Sequence, residues 1–98
     1  MIVSFADRGT EDAFNGKNTA AARRTCPNQL WKVAFRKLDQ LDSVTELADM
    51  AVPPGNRLEQ LGLDREGQHS VRINDQYRIC FRWTAAGPAE IEITDYHR

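Results

Sequence analysis

The stretch HSVRINDQYRICFRWTAAGPAEIEI, residues 69–93, decides the fold because it holds three short runs of alternating side chains. Apolar or ring-bearing residues occupy the odd positions of all three runs: His69–Ile73, Arg78–Trp83 and Ala89–Ile93. Successive side chains of a strand point to opposite faces of a sheet. The stretch therefore predicts three antiparallel strands that share one apolar face.

The turns between these runs set the predicted register, because a slip of one residue would turn an entire strand over. A loop over residues 84–88 and a turn around Gln76 keep all odd positions on one face. The predicted pairs are Trp83 with Ala89, Phe81 with Ile91, Ile79 with Ile93, Arg82 with Glu90, Arg78 with Thr94, Val71 with Phe81 and Arg72 with Cys80.

Helices predicted in the N-terminal half would cover the apolar face. Apolar residues recur at helical spacing from about Pro27 to Leu41. Thr10 is a candidate cap for a brief helix through about Asn15. Together these elements predict an α+β protein with a small, curved, antiparallel-rich sheet. Two to three N-terminal-half helices pack on one face of that sheet, in a single domain over residues 1–98.

The segments between these elements are predicted from local patterns. Residues 2–5 favour a short strand, and residues 16–24 read as a basic loop. Ser43 and Glu46 match the two ends of a capping box that would start a short helical turn. The run of prolines and glycine at residues 53–56 predicts a connector, because proline breaks helices.

Composition narrows the class of protein. The chain is 41% hydrophobic and 28% charged, which is typical of a globular domain. No apolar run approaches the roughly 20 residues of a membrane span. The opening residues lack the pattern of a signal peptide, and the two cysteines match no disulfide framework. We therefore expect a cytoplasmic protein that has no membrane partner.

Positive charge is concentrated in one part of a nearly neutral chain. Residues 17–42 carry six basic and two acidic side chains, a local net charge of +4, against −1 for the whole chain. Such a cluster forms either an ordinary solvated helix face or a contact surface for nucleic-acid phosphates. The cluster formed by Lys32, Arg36 and Lys37 on the predicted helix is the candidate for such a contact.

The polar face of the predicted sheet carries three arginines: Arg72, Arg78 and Arg82. A cross-strand ion pair with Glu90 explains Arg82 without any ligand. In the predicted register, neither Arg72 nor Arg78 has a carboxylate directly opposite. Because a guanidinium group can grip a phosphate with two donors, these two arginines suggest an anion site. A solvated sheet face remains the alternative.

The residues that follow the last strand, Asp95-Tyr96-His97, are either a polar tail or part of that site. Tyr96 or His97 would move a proton while an arginine holds the charged phosphate. His69 and His97 are the only histidines, and their spacing fits no zinc motif. We therefore expect no metal and no cofactor.

Three sequence pieces in this order, PPGNRLE at 53–59, RINDQYRICF at 72–81 and DYH at 95–97, resemble the HigB group of RelE-like toxins. The resemblance covers most of the chain and is weakest over residues 7–27. It implies a type II toxin–antitoxin system. It also implies a ribosome-dependent endoribonuclease that cuts mRNA by attack of a 2′-hydroxyl on the adjacent phosphate, without a metal. The implied partners are mRNA, the ribosome and a helix-turn-helix antitoxin of the HigA type, through which operator DNA would be bound.

The resemblance also implies roles for individual residues. Arg72 and Arg78 would hold the scissile phosphate. The candidates for contact with RNA would be Arg23, Arg24, Lys32, Arg36 and Lys37, with Arg82 as a further one. Tyr96 and His97 would transfer protons or orient the substrate, and Asp95 would orient these two. The chain departs from some relatives at Glu59, where they have a histidine, and at 62–63, where they have Lys-Gly. Glu59 is a candidate base or a surface carboxylate, and the alternative to the nuclease is a weakly active or non-catalytic antitoxin-binding co-repressor.

Overall fold

The computed structural model describes residues 1–95, with helices in the N-terminal half and a sheet in the C-terminal half. This order confirms the predicted α+β class. Short 3-10 turns connect the elements at Asn28–Leu30, Leu47–Ala51, Pro54–Asn56 and Leu63–Arg65. The regular elements are α1 (Arg8–Phe14), α2 (Ala20–Thr25), α3 (Trp31–Ser43), β1 (Glu59–Gln60), β2 (His69–Arg72), β3 (Tyr77–Thr84) and β4 (Gly87–Asp95).

The four strands form one antiparallel sheet in the order β1-β2-β3-β4. The odd-numbered apolar residues of the strands are buried together with Leu38 and Leu41 of α3 in one core, as the alternation predicted. Burial of each large aliphatic side chain contributes about 1.5–3 kcal/mol. The sheet contributes Val71, Ile79, Phe81, Ile91 and Ile93 to this core, and Ile73 joins them from directly after β2.

The β3–β4 register agrees with the prediction only near the start of β3. Ile79 pairs with Ile93, as predicted, and Arg78 pairs with Thr94. A bulge between Cys80 and Arg82 then shifts the register by one residue. Glu90 at the bulge has a φ of 53°, a left-handed conformation that the alternation pattern does not reveal.

Beyond the bulge, three predicted pairs are wrong: Trp83 with Ala89, Phe81 with Ile91 and Arg82 with Glu90. Trp83 pairs with Pro88 and Arg82 with Ala89, while Phe81 lies at the bulge itself. The hairpin loop is Ala85-Ala86 rather than residues 84–88.

The β2–β3 register differs from the prediction by two residues. Val71 pairs with Ile79 and Arg72 with Arg78, so the predicted partners Phe81 and Cys80 are wrong. The cause is the side chain of Asn74, whose Oδ1 accepts hydrogen bonds from the backbone N–H groups of residues 76 and 77 at 2.9 and 2.7 Å. The turn is therefore centred one residue earlier than predicted. The resulting register shift is two residues, so every side chain stays on its predicted face of the sheet.

The first two helices differ from their predicted bounds. α1 begins at Arg8 because Asp7, not Thr10, is its cap and accepts a 2.7 Å hydrogen bond from the Thr10 N–H. The buried hydroxyl of Thr10 instead accepts from the backbone N–H of Ile93, which joins α1 to β4. Residues 16–24 were predicted as a loop, but α2 begins at Ala20 within them and is capped by Thr19.

The remaining local predictions need smaller corrections. Residues 2–5 contribute only a single parallel bridge, between Phe5 and Ile91. The predicted capping box at Ser43 is wrong, because Ser43 is the last residue of α3. The box lies one short turn later, between Glu46 and Asp49.

Candidate phosphate-binding site

Arg72 and Arg78 are direct cross-strand neighbours on the polar face of the sheet. Directly opposed residues of antiparallel strands have Cβ atoms about 4.5–5.5 Å apart. Thr94 lies next to Arg78 on β4 and extends the same row. The sequence predicted one shared face for the two arginines, and the observed register places them side by side.

Neutral oxygen atoms fix the position of the Arg78 side chain. Its Nε donates a 2.7 Å hydrogen bond to Oγ of Ser70, which is fully buried. Its Nη2 donates to the backbone carbonyl of Arg57, also at 2.7 Å. Arg57 presents this carbonyl from a left-handed conformation with φ 47° at the end of the Pro54–Asn56 turn. Only 13% of the Arg78 side chain is exposed, so its guanidinium is held in place before any ligand arrives.

Two carboxylates lie close to the arginine pair, which corrects the expectation that both arginines are unpaired. Glu59 lies opposite Ser70, and its Oε2 is 4.0 Å from Nη2 of Arg78. Arg72 forms an ion pair with Asp75 in the adjoining turn. The side chain of Asp75 is 99% exposed, however, so solvent screens this pair strongly.

Lys37 adds a further positive charge from helix α3. Its Nζ donates a hydrogen bond to the backbone carbonyl of Arg72, which brings α3 against the end of β2. Burial lowers the pKa of Lys37, and the charges of Arg36, Arg72 and Arg78 lower it further. The sequence grouped Lys37 with RNA-contact residues on a helix face but gave no sign that it reaches the arginine pair.

A cleft with a volume of about 710 Å³ opens beside this cluster, and we call it the basic cleft. Arg36 and Lys37 line it from α3, Arg72 lines it from β2, and Pro53 and Gly55 line it from the connector. The described residues that line it include three cations and no acidic side chain. The cluster and the cleft together form a cationic concave surface.

The other predicted RNA-binding residues do not line the basic cleft. Arg82 forms the predicted ion pair with Glu90, at 3.1 Å near the hairpin end of the sheet, although the two residues are not direct strand partners. Arg23 and Arg24 are exposed on α2, where Arg23 binds Asn18 at 2.8 Å. Lys32 is exposed on α3.

Of the three residues predicted to act together at the end of the last strand, the structure describes Asp95. Tyr96 and His97 lie outside the described residues. Asp95 pairs with Tyr77 across the strands, and its Oδ2 accepts a 2.9 Å hydrogen bond from Gln76. Within residues 1–95, no three His, Cys, Asp or Glu side chains are grouped as metal ligands.

The sequence analysis assigned no role to two residues that contribute to the site, Ser70 and Arg57. Ser70 was placed on the polar face by parity, but its bond to Arg78 depends on the β2–β3 register. Arg57 contributes through its backbone carbonyl, for which side-chain identity gives no signal. No helix in the described part of the chain is long and apolar enough to cross a membrane.

Comparisons with known proteins identify the family of the chain. The family model described as HigB-like toxin, RelE-like toxin of type II toxin-antitoxin system HigB, matches residues 3–97. Toxin HigB-1 of Vibrio cholerae serotype O1 is 35% identical over 83 residues, which cover 85% of this chain and 84% of that protein. An uncharacterized protein of Haemophilus influenzae is 37% identical over 57 residues, which cover 58% of this chain and 56% of that protein.

These matches agree with the fold and with the three sequence pieces that suggested the family. A type II toxin acts together with an antitoxin, so an antitoxin partner follows from the family. The chain therefore belongs to the HigB-like, RelE-like toxins of type II toxin–antitoxin systems.

Proposed function

We propose that this toxin is a ribosome-dependent endoribonuclease that cuts mRNA. The observation that carries the proposal is the pair of adjacent arginines, Arg72 and Arg78, on a polar sheet face. A phosphodiester has two non-bridging oxygens, and two neighbouring guanidinium groups offer paired donors to both of them. An mRNA phosphate is the ligand that fits this charge and spacing.

The proposed reaction is attack of a ribose 2′-hydroxyl on the adjacent phosphorus. The 2′-oxygen loses its proton, the bond from phosphorus to the 5′-oxygen breaks, and the 5′-oxygen takes up a proton. Negative charge grows on the non-bridging oxygens in the transition state, where Arg72 and Arg78 would stabilise it. The step uses protein groups only and needs no metal or cofactor.

The proposal also assigns residues to proton transfer. Tyr96 and His97 are the candidates for donor and acceptor, with Asp95 as their orienting group. Glu59, at 4.0 Å from Arg78, is a further candidate base. If Tyr96→Phe and His97→Ala each cleave mRNA at the wild-type rate, both assignments are wrong.

The proposed partners follow from this activity and from the family. We assign the antitoxin to the HigA type, a helix-turn-helix protein that would carry the complex to operator DNA. The ribosome presents the mRNA, so the toxin would act in the cytoplasm. Arg23, Arg24, Lys32, Arg36 and Lys37 are candidate contacts with RNA phosphates, and Arg82 is a further one.

Expression of the toxin without its antitoxin, with mapping of mRNA 5′ ends, tests the proposal. We expect growth arrest and new 5′ ends spaced according to the reading frame, because a ribosome-dependent nuclease cuts at a fixed position relative to codons. Blocking translation should abolish the cuts. Cuts that persist without translation would contradict ribosome dependence, and an absence of cuts would contradict nuclease activity.

A second candidate function is an antitoxin-binding co-repressor with little or no nuclease activity. Gly62-Leu63 favours this candidate, because some relatives have Lys-Gly at these positions and the chain lacks that lysine. The contacts of Arg78 with Ser70 and Arg57 would then serve stability alone. The co-repressor would bind antitoxin and repress its operon, yet expression of it alone would neither arrest growth nor cut mRNA.

A further inference from the structure

The basic cleft lies beside the arginine pair but is a separate cavity. It has its own walls, formed by α3, the connector at residues 53–56 and the end of β2. Its volume of about 710 Å³ lies within the range of about 300–1,000 Å³ that is usual for small-molecule sites. The cleft is therefore large enough to hold a single nucleotide.

The charge of the basic cleft selects the kind of ligand. Arg36, Lys37 and Arg72 contribute three positive charges, and among the described lining residues none is acidic. Asp75 pairs with Arg72 from the adjoining turn, but its side chain lies almost wholly in solvent. An anionic ligand would therefore relieve the mutual repulsion of these cations.

The remaining walls suit the neutral part of a nucleotide. Val33, Pro53 and Ile73 give apolar surface, while the planar guanidinium of Arg36 is a group on which bases stack. Arg72 belongs both to the basic cleft and to the arginine pair. A strand whose scissile phosphate lies at the pair would thus place a neighbouring nucleotide in the cleft.

We propose that the basic cleft binds one nucleotide of single-stranded RNA next to the scissile phosphate. This inference rests on the proposed function, since it names a substrate subsite of the same RNA-cleaving site. The bound parts would be a phosphate, held by Lys37 and Arg72, and a base beside Arg36. An acidic peptide of the antitoxin is the competing occupant, and it lacks the continuity with the arginine pair that a single RNA strand has.

Gly55 offers a way to change the charge of the cleft without disturbing it. A Cβ built at Gly55 meets no atom within 4 Å, and the backbone there is not left-handed. The variants Gly55→Glu and Gly55→Lys therefore add opposite charges at one position. Ala85→Glu is the matched control, because Ala85 is exposed at the hairpin turn, about 26 Å along the strand direction of β3 from Tyr77.

Binding of a short single-stranded RNA with 2′-O-methyl riboses, which lack the nucleophile, is the direct readout by fluorescence anisotropy. Gly55→Glu should weaken binding about fivefold and Gly55→Lys should strengthen it by a similar factor, as one near-surface charge interaction allows. Ala85→Glu should bind as the wild type does. Arg36→Gln should reduce the slope of log affinity against log salt concentration by about 0.7.

Equal RNA binding by both Gly55 variants, or absence of RNA binding by the wild type, would overturn the inference. It would equally be overturned if Gly55→Glu weakened binding to the antitoxin and left RNA binding unchanged. Cleavage of mRNA on ribosomes by the wild type separates the two proposals. Wild-type cleavage with equal binding by the Gly55 variants rejects the cleft alone, whereas a lack of wild-type cleavage rejects the proposed function.

Discussion

The two ends of the polar sheet face differ in how their cations are neutralised. At the hairpin end, Arg82 lies 3.1 Å from the carboxylate of Glu90. At the opposite end, Arg78 lies 4.0 Å from Glu59, and Lys37 brings a further charge from α3. The first end is an ordinary surface ion pair, and the second is a cluster of cations that faces a cleft.

This difference distinguishes an arginine that stabilises the fold from one that is available to bind a ligand. Arg82 is neutralised by Glu90 in a surface ion pair, a kind of pair that contributes only about 0–1 kcal/mol, so it offers less charge to an RNA phosphate than Arg78 does. Arg78 is held by two neutral oxygens, those of Ser70 and Arg57, which set its position and leave its positive charge in place. Fixed donors of this kind stabilise charge that develops in a transition state.

The largest expected effect is that of a substitution at Arg78, which lies at the cation-rich end of the polar face. We expect Arg78→Ala to lower the rate of mRNA cleavage by about 100-fold or more, as removal of one transition-state donor does in other enzymes. Single-turnover cleavage on programmed ribosomes measures this rate. Binding to the antitoxin and thermal unfolding serve as controls for folding. A rate within twofold of the wild type would remove Arg78 from the site.

The next effect tests whether Ser70 acts through Arg78. Ser70→Ala removes the acceptor of a hydrogen bond from a charged donor, and we expect it to slow cleavage roughly tenfold. In a double-mutant cycle, Ser70→Ala should cause little further loss in the Arg78→Ala background. Full additivity of the two losses would show that Ser70 does not position Arg78. A purely structural role would lower thermal stability without this coupling in the cleavage rate.

The smallest effect belongs to the hairpin end. Arg82→Ala removes a guanidinium that is paired with Glu90, and we expect cleavage and RNA affinity to fall by about fivefold or less. The measurements are the same cleavage and anisotropy assays. A loss as large as that of Arg78→Ala would contradict the distinction between the two ends and would extend the RNA surface along the entire strand.

The thiols give an independent test of how tightly the interior of the protein is packed. Burial raises the pKa of Cys26 to about 11 and also raises the pKa of Cys80. Because the thiolate is the reactive form, both cysteines should resist alkylation near pH 8 in the folded protein and react quickly in denaturant. Fast labelling of the native protein would show that the interior around these cysteines opens easily.

Much of the fold was predictable because side-chain alternation is a local property. The odd positions of three runs identified the core face of the sheet and placed Arg72 and Arg78 on the opposite face. The helical spacing after Pro27 likewise located α3. These patterns report burial, which hydrophobic residues impose on any register that keeps their parity.

The exact register and the contacts of the site were not predictable from those patterns. The bulge at Glu90 and the Asn74 turn each depend on one local conformation, and each changes which residues are neighbours. The contacts of Lys37 with Arg72 and of Arg78 with the Arg57 carbonyl join segments far apart in the chain. Neither contact leaves a periodic signal in the sequence.

The central claim is that the cation cluster at one end of the polar face is the RNA-cleaving site. The most direct test is the single-turnover cleavage rate of Arg72→Ala on programmed ribosomes, because the only described acidic partner of Arg72 is the exposed Asp75. We predict a rate at least about 100-fold below the wild type, with antitoxin binding and thermal stability unchanged. A wild-type cleavage rate in this variant would contradict the account.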